Sequence, residues 1–174
     1  MLLSDGTGLS RLAKLVAGIA LVGALAGCQV RPLYSTGSGT DTKLAAVEIS
    51  EADTRVEQQV RNDLVFLFAG GAGEPQSALY HLELNVSVRN IGVLDDVTTD
   101  IARAGRIVVS ADYNLTKSDS GETLASGKRS SVALVDFPVQ EFAKLRAVRD
   151  GENRAARELA ELIRADVASA LGRR

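Results

Sequence analysis

Leu82, Leu84, Val86 and Val88 alternate with His81, Glu83, Asn85, Ser87 and Arg89. Period two over that length predicts a strand with one apolar and one wet face. Ile107, Val109, Ala111, Tyr113 and Leu115 repeat the pattern. Thr123 to Phe137 returns as a third strand, with its alternation disturbed around Gly127, where a bulge would fit. Lys117 to Glu122, Lys-Ser-Asp-Ser-Gly-Glu, has the composition of a hairpin turn. Asn90 to Ala104 reads as a longer connection carrying Asp95, Asp96 and Asp100.

Two other stretches have the helical period. Val56, Val60, Leu64 and Leu67 or Phe68 form one stripe, and Thr54-Arg55-Val56-Glu57 has capping-box spacing ahead of it. Gly70 to Pro75 ends that helix. The second helical segment opens at Pro138, with Phe142, Leu145 and Val148 in its first part. Leu159, Leu162, Ile163, Val167 and Leu171 form the stripe of its second part, and Gly151 softens or breaks it between. Leu44 to Ile49 adds a short leading strand. The order is strand, helix, three-strand meander, helix. This predicts an α+β fold, an approximately four-stranded sheet with two amphipathic helices packed on one face. The other sheet face stays polar.

The N-terminal part is different. Arg11 and Lys14 precede an apolar run, Leu15 to Ala24, which is shorter than the roughly 20 residues a spanning helix needs. Leu25-Ala26-Gly27-Cys28 follows, and Cys28 is the only cysteine. Small residues ahead of a lone cysteine resemble the lipobox of bacterial lipoproteins. That resemblance implies cleavage before Cys28 and lipid on its sulfur, which also removes an unpaired thiol from an oxidising compartment. Three chains, as such lipidation implies, anchor firmly where one holds only marginally. Gln29 in place of Asp favours the outer membrane. The expected division is a signal peptide at 1–27, a lipidated flexible tether at 28–43 and one domain at 44–174.

Composition narrows the function classes. Twenty basic and 22 acidic residues give a net charge of −2, so nothing points to nucleic acid. The core must be aliphatic, since Trp is absent. His81, the only histidine, falls on the wet side of its strand. Neither a Cys/His cluster with metal-ligand spacing nor a nucleophile elbow is present. Asp95, Asp96 and Asp100 lack the calcium-loop pattern. The expectation is a non-enzyme with no metal and no cofactor apart from covalent lipid on Cys28. Arg103, Arg106, Lys128 and Arg129 are the candidate anion-binding residues, because a hairpin about Ser120 would bring them near one another.

Several motifs, in order, resemble one family. Cys28-Gln29-Val30-Arg31-Pro32-Leu33-Tyr34 is similar to the Cys-Gly-Phe-x-Pro-Leu-Tyr start of the lipopolysaccharide-assembly lipoproteins, the LptE family. Gln58-Gln59-Val60-Arg61-Asn62-Asp63-Leu64 resembles its Gln-x-Leu-Arg-Asn-x-Leu helix. Gly121-Glu122-Thr123-Leu124 looks like its hairpin exit, and Ala155 to Ile163 like its closing helix. The departures are Gln29-Val30 for Gly-Phe and Ser35 for Gly. The resemblance implies a periplasm-facing outer-membrane lipoprotein that plugs an LptD-type β-barrel and assists its assembly. Its partners would be that barrel, lipopolysaccharide and, through the lipid, the membrane. The alternative is a lipid-anchored periplasmic module that binds a small ligand or another envelope machine.

Overall fold

The computed structural model describes residues 39–96 and 101–173. The expected signal peptide at 1–27, Cys28 and the expected tether as far as residue 38 lie outside the described residues. The elements are α1 (Thr40–Leu44), β1 (Val47–Ile49), α2 (Arg55–Ala69), β2 (Tyr80–Asp96), β3 (Ile101–Lys117), β4 (Thr123–Asp136) and α3 (Glu141–Gly172). The four strands form one mixed sheet in the order β1-β2-β3-β4. β1 runs parallel to β2 and meets it only at Tyr80 to Leu82, whereas β2, β3 and β4 form an antiparallel meander. The α+β fold expected from the sequence is therefore the one observed.

Strand geometry decides which residues make the core. Alternate side chains go to opposite faces. Leu82 and Leu84 of β2, Ile107, Val109, Ala111, Tyr113 and Leu115 of β3, and Ala133 and Val135 of β4 are buried on one face. Val56, Val60, Leu64 and Phe68 of α2 cover part of it. Leu159, Ile163, Val167 and Leu171 of α3 cover the rest. Each such side chain contributes about 1.5–3 kcal/mol on burial. α2 is fixed at its start by its cap. Glu57 N–H donates to Thr54 Oγ1 at 3.2 Å, and Asp53 N–H donates to Glu57 Oε2 at 2.9 Å. The carboxylate thus reaches one residue further back than a capping box requires.

Five expectations about the elements are corrected. Leu44 ends the short helix α1 instead of opening a strand, and the strand is Val47–Ile49. With Thr40 and Leu44 buried and Lys43 Nζ bonded to Leu171 O at 3.0 Å, residues 40–43 of the expected tether are packed helix. Asn90 to Ala104 is mostly strand. Asn90, Ile91 and Gly92 stay paired with Ile107, Arg106 and Gly105, because a neighbouring ladder holds even weak strand formers. The acidic cluster is divided accordingly: Asp95 and Asp96 are in β2, and Asp100 lies outside the described residues. The register of β4 is unbroken at Gly127, and the irregularity comes between Ala125 and Thr123 instead. Finally, α3 starts at Glu141, after Pro138, and runs through Gly151 without a break.

Gly151 is there because α3 lies directly on the sheet. A Cβ at this position would stand 2.6 Å from Val135 Cγ2 and 3.1 Å from Ile107 Cγ1. Both neighbours are β-branched and stiff. Packing, not flexibility, explains this residue.

A polar clamp holds the far side of α3 to β3 and β4. Asp166 of α3 accepts from Arg129 Nε at 2.6 Å, Arg129 Nη2 at 2.7 Å and Tyr113 Oη at 2.7 Å. The Tyr113 ring crosses Gly127 on β4, where a Cβ would meet the hydroxyl at 2.8 Å. That close approach, not a bulge, is what the glycine permits. The hydrogen bond from Arg129 holds the Asp166 carboxyl below its usual range. Burial, then the bond to Asp166, pushes the Tyr113 hydroxyl up from 10.0 to about 12. Ser131 Oγ adds a bond to Glu158 Oε2 at 2.7 Å.

Two outcomes follow for stability. Gly151→Val should cost about 2 kcal/mol in urea unfolding, within the overpacking range of 1–3 kcal/mol; an unchanged midpoint would contradict direct seating of the helix. The pH dependence has two limbs. Asp166 titrates lower in the folded state, so its contribution is present at neutral pH and lost as acid protonates it. Tyr113 titrates higher, so its contribution is full below pH 10 and fades towards pH 12. Tyr113→Phe should lower stability at pH 7 by about 1 kcal/mol. It should also shrink the loss measured between pH 10 and 12. An identical alkaline limb would contradict the clamp.

Candidate interaction surface

Among the described residues, the helices cover one sheet face and leave the other bare. Register assigns the bare face in rows across β2, β3 and β4. Asn85, Asp112 and Lys128 form one row, and Ser87, Ser110 and Ser130 the next. Arg89, Val108 and Val132 follow, and then Ile91, Arg106 and Leu134. Nearer β1, His81, Glu83, Asn114, Thr116 and Ser126 continue the polar character, with His81 Nδ1 3.9 Å from Glu48 Oε2. Side chains on this face are therefore polar over most of its length and change to apolar with arginines at one end.

That end has more of the same character. It is the end where β2 finishes, β4 finishes and α3 begins. Leu134 is 69 % exposed there and Phe142 of α3 is 72 % exposed. Val132, Val139 and Leu145 are also exposed. Phe142, Leu145 and Arg149 fall on one side of α3 by spacing, and they line an open hollow with Arg146, Asp150 and Asn153. Lys144 Nζ sits 5.3 Å from the Phe137 ring centroid. Grouped exposed apolar residues mark interaction surfaces in soluble domains. The opposite end is where the chain enters, with α1 bonded to the last turn of α3.

The four candidate cations do not converge. Arg106 stands across from Leu134, while Lys128 stands across from Asp112, six residues along β3. That separation is roughly 20 Å at 3.3 Å per residue. Lys128 Nζ is 3.0 Å from Asp112 Oδ2 on the bare face. Arg129 lies on the helix-covered face, where it is bonded to Asp166. Arg103 lies at the apolar end, and its backbone carbonyl accepts from Phe137 N–H at 2.8 Å. The hairpin about Ser120 is the register observed, pairing Asp112 with Lys128 and Arg106 with Leu134, and it is distance along the strands and alternation of faces that keep the four apart. Leu162, which the sequence reading set in the apolar stripe of the last helix, is exposed, and so are Phe142 and Leu145 of that helix's first part. Arg89, Arg146 and Arg149 were not among the candidate cations. The signal for the last two was available: arginines at i+4 and i+7 from Phe142 do not belong to a core stripe.

Among the described residues no cluster of three potential metal ligands occurs. No described helix is long and apolar enough to cross a membrane. Of the buried polar residues, Glu57 serves the cap of α2 and Ser131 the clamp on α3.

Known proteins share this arrangement. The family described as "LptE: Lipopolysaccharide-assembly" matches residues 43–167, from the end of α1 into the last turns of α3. A candidate lipoprotein from Caulobacter crescentus is similar in structure, with a TM-score of 0.63 and 26% identity over 77% of this chain and 96% of that one. Rare lipoprotein B from Shewanella oneidensis shares the fold at a TM-score of 0.51 and 15% identity, covering 71% of this chain and 92% of that one. A minor lipoprotein from Acinetobacter baumannii does so at 0.50 and 12%, covering 71% and 88%. No curated protein matches the chain. With the helix, the meander and most of α3 inside the matched region, this chain belongs to the LptE family, the non-enzymatic lipopolysaccharide-assembly lipoproteins of the outer membrane.

Proposed function

We propose that the protein is exported, cleaved before Cys28 and lipidated there, and faces the periplasm from the outer membrane. It seats in the lumen of an LptD-type β-barrel, assists that barrel's assembly and supports lipopolysaccharide transport to the outer leaflet. The observation that carries this reading is the bare sheet face, with its polar rows and its apolar, arginine-rich end. Large outer-membrane barrels have polar interiors, so a plug should present polar rows to the wall. Lipopolysaccharide combines phosphates with acyl chains. A surface that sets Arg106 between Ile91 and Leu134 suits both parts. Of the four candidate cations, Arg106 takes the contact role by position on the bare face, while Arg103, an odd-numbered residue of β3, falls on the face that carries Gly105 and Ile107. Lys128 and Arg129 serve the sheet and the clamp.

Two measurements test this. Arg106→Glu should weaken lipopolysaccharide binding by about tenfold, the worth of one charge-assisted hydrogen bond, while Lys128→Glu changes it little. Equal effects from both variants, or none, would remove the assignment. Cys28→Ala should move the folded protein from the membrane fraction to the soluble periplasm, and normal membrane fractionation of that variant would refute the anchor.

A further inference from the structure

The backbone of β4 offers a second kind of contact. Phe137 N–H donates to Arg103 O, so odd-numbered residues here bond to β3 and even-numbered ones point their N–H and C=O away from it. Leu134 agrees, since its carbonyl accepts from Arg154 Nη2 of α3 at 3.0 Å. β4 is the last strand of the sheet. Ser126, Lys128, Ser130 and Val132 are exposed and in unbroken register with β3. Among the described residues no hydrogen bond to the outward backbone groups of these four is seen.

The other edge is treated differently. Ser50 N–H donates to Leu82 O at 3.0 Å, and Leu84 N–H donates to Ser50 Oγ at 3.0 Å. Val86 N–H donates to Glu57 Oε1 at 3.1 Å. Side chains thus continue what the three-residue β1 begins. Folded proteins usually guard an open edge with charge or a cover. On β4 the available charges are turned away: Lys128 reaches across the bare face to Asp112, and Arg129 goes under α3 to Asp166. Arg154, Glu158 and Asp166 form an i, i+4 line of α3 residues, broken by Leu162, and each of the three bonds to β4. Leu162 stands in that line, 39 % exposed and with nothing to cover it in the fold described.

We infer that the edge of β4 from Ser126 to Val132 accepts an added β-strand, an extended segment of the barrel partner with an apolar residue over Leu162. This rests on the barrel reading proposed above. Main-chain bonds would give the affinity, and the side-chain neighbours of Leu162 and Lys128 the register. A second copy fits less well. Pairing two β4 edges would bring two α3 lines together, each with a Glu158 held, among the described residues, only by a serine hydroxyl, since Arg129 is engaged by Asp166 and Arg154 by Asp150, and like charges brought together are costly.

Hydrogen exchange at single-residue resolution, on the lipidated protein alone and purified with the barrel protein, tests this. Alone, the amides of Lys128, Ser130 and Val132 should exchange fast, while Arg129, Ser131 and Ala133 are protected. In the complex the first three should slow by at least about tenfold, as hydrogen-bonded amides do. Ser130→Pro removes an edge N–H and leaves the β3 ladder intact, so co-purified barrel should fall severalfold with the fold unchanged by circular dichroism. Val132→Pro repeats the test at the next edge position. A complex that forms while these amides stay fast overturns strand addition and spares the barrel reading. Failure of the wild-type protein to form any complex overturns both. Protection that appears with the pure protein at high concentration assigns the edge to a second copy and also overturns the proposal.

Discussion

Strand pairing sends alternate side chains of β2, β3 and β4 to opposite faces, and the described helices cover only one of them. Every other feature answers to that inequality. The covered face is aliphatic with Tyr113 at one side, and α3 comes so close that Gly151 must lack a side chain. Where the apolar contact gives out, polar groups take over. Arg129, Tyr113 and Ser131 fasten α3 by Asp166 and Glu158. Glu57 does the equivalent for α2, joining its cap to the Val86 amide.

The uncovered face then becomes the working surface. Its centre is a row of serines, which neither repels water nor fixes a charge. Its far end is apolar and cationic, set away from the end at which the chain enters. Under the proposed function, the polar zone would lie against a wet wall and the apolar, cationic zone would meet an anionic amphiphile. Family membership gives this division its context, and the geometry explains how one sheet provides it.

Much of this was legible in the residues. The period-two runs of β2 and β3, the stripe of α2 and the cap at Thr54 each reflect one local constraint, and each was found where expected. What was not legible depended on neighbours. Asn90 to Gly92 look like a loop because their strand conformation is imposed by Gly105 to Ile107 opposite. Gly151 and Gly127 look like a break and a bulge because the groups that exclude their side chains, Val135 and Tyr113, are distant in sequence. The site suffered most. Arg129 and Lys128 are adjacent, yet one faces the helices and the other the bare face, and the hairpin about Ser120 sets both five or six residues along β3 from Arg106.

The central claim is that this domain supports lipopolysaccharide transport to the cell surface. Depletion of the protein from growing cells, followed by labelling of surface lipopolysaccharide, tests it most directly. Labelling should fall as the protein is lost and recover when the full chain is restored. Unchanged labelling in depleted cells would contradict it.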